Sequence, residues 1–327
     1  MPKAATATVA FLLALCGCKP SEESRMKAVI GAVLMDGAGG PPVTDSVVVV
    51  AGDRINSAGP RTATPVPAAA DKIDGYGKFL VPALVDVYPG AEVSASFTAP
   101  GGYPDGALQP TMPDAARAQV AELATRRAAA IHMWLDDRGG TRPKLPRATA
   151  EAVLKAAREA GIPVTAHIVT QADAKFAVSG GAGVLIGMIR DTADLDADFV
   201  ARLRDLPIVC APALASEPPG TGLEIARRNT RALFAAGVPL ALASGGGDLL
   251  REAELIASAG VPALDVVVAA THNGAVALRQ LDRMGTIQPG KRADFLLLSA
   301  NPGEDIRNLG RVAGRMRDGE WTTTSLH

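Results

Sequence analysis

The chain is short of aromatic rings, of net charge and of cysteine, and each shortage narrows what it can do. Phe, Trp and Tyr make up 4% of the 327 residues, which argues against a stacking platform for sugars or bases. Its 33 basic and 34 acidic residues leave a formal net charge of -1. No Lys/Arg run interrupts that mixture, so nucleic acid is not an expected partner. What is plentiful is Ala, Gly and Pro, which suits alanine-rich helices joined by tight loops. The length accommodates one barrel-sized unit with a small appendage.

Two of the three cysteines stand in the first 18 residues. Lys3 is followed by an apolar run from residue 4 to residue 15 and then by Cys16-Gly17-Cys18, the layout of a secretory signal segment. The run is too short for a stable membrane anchor. Leu15-Cys16-Gly17-Cys18 resembles a bacterial lipobox, which implies cleavage after Gly17, lipid on Cys18 and tethering to the cell envelope, with residues 19–26 as a short linker. Ordinary cleavage without lipid is the alternative. Either way the mature chain has no disulfide framework, and Cys210, between Val209 and Ala211, reads as a small core residue rather than a nucleophile.

Residues 27–80 alternate short apolar runs with turn signals such as Gly39-Gly40-Pro41-Pro42 and Gly52-Asp53, a β-meander pattern. Beyond them, apolar strands alternate with helical stretches. Strands are expected over 81–88, 128–135, 163–169, 183–189, 207–211 and 238–243. Helices are expected over 114–127, 150–160 (capped by Thr149), 171–178, 197–206, 223–236, 249–259 and 263–281. Repeated βα units of this length imply a parallel barrel. Six strands are too few for a closed one, so either a weakly marked strand at 93–97 completes it or it is truncated and open on that side.

Several motifs resemble the amidohydrolase superfamily. Gly285-x-Ile287-x-Pro289-Gly290-Lys291-x-Ala293-Asp294 matches a signature near the end of such chains, and residues 81–90 match the wording of their first barrel strand. The stretch from Ile131 to Arg138 resembles an imidazolonepropionase-like subset. The resemblance implies an α/β fold: a TIM-like barrel over 81–284 and a composite β-sandwich built from 27–80 and 285–323. It also implies hydrolysis of carbon–nitrogen bonds in cyclic amides or dipeptides, by divalent metal held on five strand ends.

The expected metal ligands are mostly missing. Tyr88 and Gly90 stand at the paired histidine positions of the first strand, His132 at the bridging lysine, Gly187 at a further histidine and Gly245 at the catalytic aspartate. His167 alone matches. An imidazole at 132 cannot form the carbamate of the bridging lysine. The leading expectation is therefore a catalytically degenerate family member without a cofactor that keeps its cavity for a small ligand, with Tyr88 and Arg190 as candidate ligand contacts. One alternative is an active enzyme holding a single zinc or similar divalent ion on His167 and His132 with help from Asp86 or Asp191. Another is a non-enzymatic scaffold lipoprotein. Asp136-Asp137-Arg138 reads as a solvated turn, His272 as part of a packing helix, and Gly245-Gly246-Gly247 as a flexible loop without the Lys-Ser/Thr of a phosphate loop.

Overall fold

The computed structural model describes residues 26–88 and 94–323. Cys18, Gly90, the signal segment and most of the linker lie outside the described residues. The chain opens with β1 (Met26–Leu34), β2 (Val43–Ala51), β3 (Arg54–Pro60), β4 (Asp71–Asp74) and β5 (Phe79–Pro82). It then alternates strands with helices through β6 (Ser94–Phe97), α1 (Pro113–Thr125), β7 (Ala130–Trp134), α2 (Arg147–Glu159), β8 (Val164–His167), α3 (Gln171–Gly180), β9 (Val184–Ile186), α4 (Ala197–Asp205) and β10 (Val209–Ala211). Four helices follow, α5 (Thr221–Ala235), α6 (Leu249–Ser258), α7 (Ala263–Val268) and α8 (Gly274–Ala277), before β11 (Phe295–Leu298), β12 (Val312–Arg317) and β13 (Glu320–Thr323) close the chain.

Strands from both ends of the sequence share one sheet, in the order β13-β12-β11-β5-β1-β2-β3, with β4 alongside β1. β11 enters antiparallel to β5, with Phe295 opposite Pro82 and Leu297 opposite Leu80. Strand side chains alternate faces, so Val29, Leu34, Val48, Val50, Leu80, Phe295 and Leu297 form one apolar cluster while Val81 and Leu298 on the opposite face join the main core. The sheet folds over its cluster where Ile55 N–H donates to Lys291 O at 2.9 Å and Gly290 N–H to Ile55 O at 2.8 Å.

The second sheet is parallel, in the order β10-β9-β8-β7-β6. Residues 238–243 extend it through a parallel bridge between Leu240 and Cys210, and residues 83–88 follow through Val87 N–H to Leu242 O at 3.0 Å. Alternation again sorts the side chains. Val87, Val184, Ile186, Val209, Ala211, Ala241 and Ala243 fill the barrel interior, whereas Ile131, Met133, Ala166, Leu185, Cys210 and Leu242 face outward beneath the helices. Cys210 is thus a core residue, and burial pushes its thiol up to about 12. The helices supply the matching faces; α2 buries Ala150, Val153, Leu154 and Ala157.

Three expectations change. The apolar run at 81–88 divides, because Val81 and Pro82 pair with β11 in the terminal sheet and only 83–88 joins the barrel; an apolar run does not reveal which sheet takes it. The helix expected at 150 begins at Arg147 after Pro146, so Thr149 lies buried inside its first turn rather than capping it. The helix expected over 263–281 is interrupted by a π-turn at Ala269–Asn273, where Ala270 O is spent on Val85 N–H at 2.7 Å. The weakly marked strand is present as β6, and its far edge is covered by Leu108, whose N–H donates to Ser96 O at 2.8 Å and whose carbonyl accepts from Thr98 N–H at 3.0 Å.

Met133 is fully buried between β7 and the helices. Met133→Ala should destabilise the protein by ~2–5 kcal/mol, read as a lower urea midpoint with an unchanged slope.

Candidate active site

The inward-facing positions at the C-terminal ends of the parallel strands converge on one cavity, as the barrel geometry requires. β7 contributes Trp134, with His132 two residues earlier and behind the cavity lining, β8 ends on His167, and residues 83–88 end on Tyr88. The following loops add Asp136 and Arg138, Gly187 and Arg190, Ser216 and Glu217, and Gly245. The cavity volume is about 30 Å³, room for one or two waters.

Aromatic side chains occupy the rest. The Trp134 indole lies flat on the His167 imidazole, with ring centres 3.5 Å apart and planes 10° from parallel. Tyr88 meets both edge-on, at 6.4 Å from Trp134 and 5.8 Å from His167. Tyr103 packs edge-on against Trp134 at 4.8 Å, and Arg138 covers the Tyr103 ring at 3.9 Å. Two of the chain's three tyrosines and one of its two tryptophans therefore gather at the barrel mouth, although the low aromatic content gave no hint of a cluster. Tyr103, Ser216 and Glu217 carry no sequence signal for this site; they arrive on loops whose course depends on the barrel.

The two histidines are each 4% exposed, with ring centres 6.0 Å apart. Burial lowers His132 to about 4. His167 is held well below its usual range by burial first, then by His132 and Arg138. Both are neutral at neutral pH. His132 Nδ1, His167 Nε2 and Trp134 Nε1 are buried without a hydrogen-bond partner. Burial, followed by the neighbouring Tyr103 hydroxyl, raises the Tyr88 phenol. Arg190 is ion-paired with Glu217, whose carboxyl burial raises and Arg190 lowers.

The other sequence candidates are engaged elsewhere. Asp86 Oδ1 accepts the N–H groups of Tyr88 and Ser244, both at 2.9 Å, which ties residues 83–88 to the loop after 243. Asp191 Oδ1 accepts Gln171 N–H at 3.0 Å at the start of α3. His167, Tyr88, Arg190 and Gly245 meet at the barrel mouth with His132 behind His167, whereas Asp191 serves a helix end. His272, in the π-turn, pairs its Nδ1 with Asn273 Oδ1 at 3.0 Å.

A resident divalent metal needs about three protein ligands, and the described residues contain no cluster of three His, Cys, Asp or Glu side chains able to hold one. At two of the positions where a ligand was expected, the backbone is unfavourable to any side chain. Gly187 has φ +85°, and an added Cβ would stand 2.5 Å from Ile168 O. Gly245 has φ +62°, and its Cβ would stand 2.5 Å from Ser216 Cβ. L-residues avoid both conformations, so a His or Asp there requires the backbone to move. The described residues do not fit the divalent metal centre.

A neutral buried imidazole has a definite pH signature. The unfolded chain protonates His132 near pH 6.5 and the folded chain only near about 4, so the unfolded state binds more protons between these values and stability is lost as pH is lowered through them. The contribution is fully present above pH 6.5 and on the order of 3 kcal/mol at most. His132→Gln should flatten the difference between urea stabilities measured at pH 7.5 and pH 4.5 by about that amount; an unchanged slope would show that the imidazole is charged or solvated.

Comparisons with other proteins agree with this architecture. No curated protein matches the chain in sequence. Among solved structures, a putative prolidase from Bifidobacterium longum aligns with TM-score 0.75 and 20% identity over 91% of this chain and 94% of its own. A Xaa-Pro dipeptidase with bound methionine in its active site aligns with TM-score 0.75 and 16% identity over 91% and 100%. Ochratoxinase from A. niger aligns with TM-score 0.77 and 14% identity over 92% and 96%. At these identities the likeness establishes the fold, a TIM-like barrel with a sheet domain made by the two ends of the chain. The amidohydrolase family pattern matches residues 96–324, more than half of the sequence, and the chain therefore belongs to the amidohydrolase family.

Proposed function

We propose that this protein is a non-hydrolytic member of its family, a barrel that has kept its scaffold and lost its metal-dependent chemistry. One observation carries the reading: at 187 and 245 the chain has glycines in left-handed conformations, with Ile168 O and Ser216 Cβ filling the space a ligand's first carbon would need. Bound metal lowers the pKa of water from 15.7 to about 7. A lone general base recovers only about 10²–10⁴ in rate. His167 is a poor base as well, since its environment holds it well below the usual histidine range. A cavity of about 30 Å³ compares with roughly 300–1,000 Å³ for ordinary ligand sites, so in this conformation a cyclic amide or dipeptide does not enter. The lipobox-like Leu15-Cys16-Gly17-Cys18 supports a further part of the proposal, that the barrel works at the cell envelope, tethered through lipid on Cys18.

Two measurements test the reading. Protein purified without added metal should contain no stoichiometric zinc, manganese or iron. It should also show no turnover of Xaa-Pro dipeptides, other dipeptides or cyclic amides, with or without added divalent ions. Turnover abolished by His167→Ala would overturn the proposal. For the tether, Cys18→Ser should move the protein from the membrane fraction to the soluble one; an unchanged distribution would refute lipidation.

A further inference from the structure

A cleft much roomier than the barrel mouth opens in the terminal sheet. Its volume is about 490 Å³, against about 30 Å³ at the mouth and roughly 300–1,000 Å³ for ordinary ligand sites. It arises from how β1 shares its edge. The first half of β1 pairs with β4, Lys27 opposite Asp71 and Ile30 opposite Asp74. The second half pairs with β5, Val33 opposite Phe79. β11 continues the sheet from β5 alone. Among the described residues no strand therefore lies against the outer edge of β4, and a slot separates it from the hairpin of β12 and β13.

Ile73, Leu297 and Trp321 give the slot apolar walls, and the same side chains reach the cluster inside the sheet. The Trp321 ring is seated on β12, where a side chain in place of Gly314 would collide with it. Lys27, Lys72 and Lys78 stand around the opening. In the ion pairs here the lysines are the enclosed partners: Lys27 is 21% exposed and Glu320 84%, Lys78 28% and Asp74 71%. The pairs are long, at 3.5 and 3.4 Å, and such exposed partners contribute little. Asp74 also accepts Tyr76 N–H at 3.1 Å, and Asp71 is exposed. Loosely compensated ammonium groups thus stand beside apolar surface that water can reach.

We propose that this slot docks an anionic phospholipid of the membrane, with its phosphate among Lys27, Lys72 and Lys78 and its upper acyl methylenes on Ile73, Leu297 and Trp321. Lysine stems lie along apolar surface while their ammonium groups meet the anion, and a half-buried tryptophan suits the boundary between headgroup and acyl chain. Position in the chain favours this occupant. Eight residues, 19–26, separate Cys18 from Lys27, and they reach roughly 30 Å at full stretch. A tether on Cys18 therefore keeps the slot beside the headgroups, within the short range over which a few lysines attract an anionic surface. The docking rests on the envelope tether proposed above for that proximity and is independent of whether the barrel hydrolyses anything.

Quenching by brominated lipids in the full-length protein tests it. In vesicles of mixed phosphatidylglycerol and phosphatidylcholine, bromine is placed on the acyl chains of one lipid or the other at constant composition. Trp321 should be quenched more strongly by the brominated phosphatidylglycerol, while Trp134, 3% exposed in the barrel, supplies an unchanged background. Trp321→Phe should remove the quenching. Lys27→Gln, Lys72→Gln and Lys78→Gln should each weaken the preference up to roughly 5-fold, and together they should abolish it. Equal quenching by the two lipids, or a preference that survives the triple substitution, would overturn the docking. Quenching by brominated stearate alone would assign the slot to a free fatty acid and overturn it too. Cys18→Ser separates this proposal from the tether: if lipidation fails, that variant and the wild type distribute alike between membrane and soluble fractions, yet the preference persists at high vesicle concentration.

Discussion

The antiparallel pairing of β5 with β11 is the constraint on which the rest of this molecule depends. Four residues near the start of the chain, Phe79–Pro82, pair with four near its end, Phe295–Leu298. One face of the pair completes the cluster inside the terminal sheet, and the other adds Val81 and Leu298 to the core under the barrel helices. The pairing therefore joins two hydrophobic cores through a single backbone ladder. It also sets where the barrel begins. Ala83 N–H still donates to Asp294 O at 3.0 Å, and from there the chain turns into the barrel and delivers Asp86 and Tyr88 to its mouth. A slip of one residue would send every side chain on β5 to the wrong face.

At the barrel mouth, two carboxyl groups act as structural ties. Asp86 fastens Tyr88 to Ser244, and Glu252 fastens Ala215 to α6. In each case the oxygen accepts backbone N–H groups at the turn between a strand and the loop that follows. The mouth is shaped by these ties and by packing of Trp134 on His167. Its polar remainder includes neutral imidazoles, the Arg190–Glu217 pair and the Asp136–Arg138 pair. Such a mouth has little free space, about 30 Å³.

The conformations of Gly187 and Gly245 explain why this mouth is more than a set of substituted side chains. At 187 and 245 the surrounding chain takes up the space a side chain's first carbon would need, through Ile168 O and Ser216 Cβ. Residues with a side chain rarely adopt these backbones, so the glycines and the course of the loops through 187 and 245 go together.

By itself the sequence pointed to the family and to the alternation of strands and helices. These rest on local patterns: the period of apolar residues, Pro-Gly turns, and motif wording that survives at both ends of the chain. It also marked His167, His132, Tyr88 and Arg190 as neighbours, because each falls at or just beyond the end of a barrel strand. Only the tertiary structure decided that 81–82 pairs with β11 while 83–88 joins the barrel, since an apolar run is compatible with either sheet. Only it placed Ser216 and Glu217 in the cavity, packed Tyr103 against Trp134, and turned Asp86 and Glu252 into ties on backbone N–H groups. The reason is the same in each case. A loop residue has no periodicity to read, and what a buried carboxylate does depends on which distant donors the fold brings within about 3 Å of it.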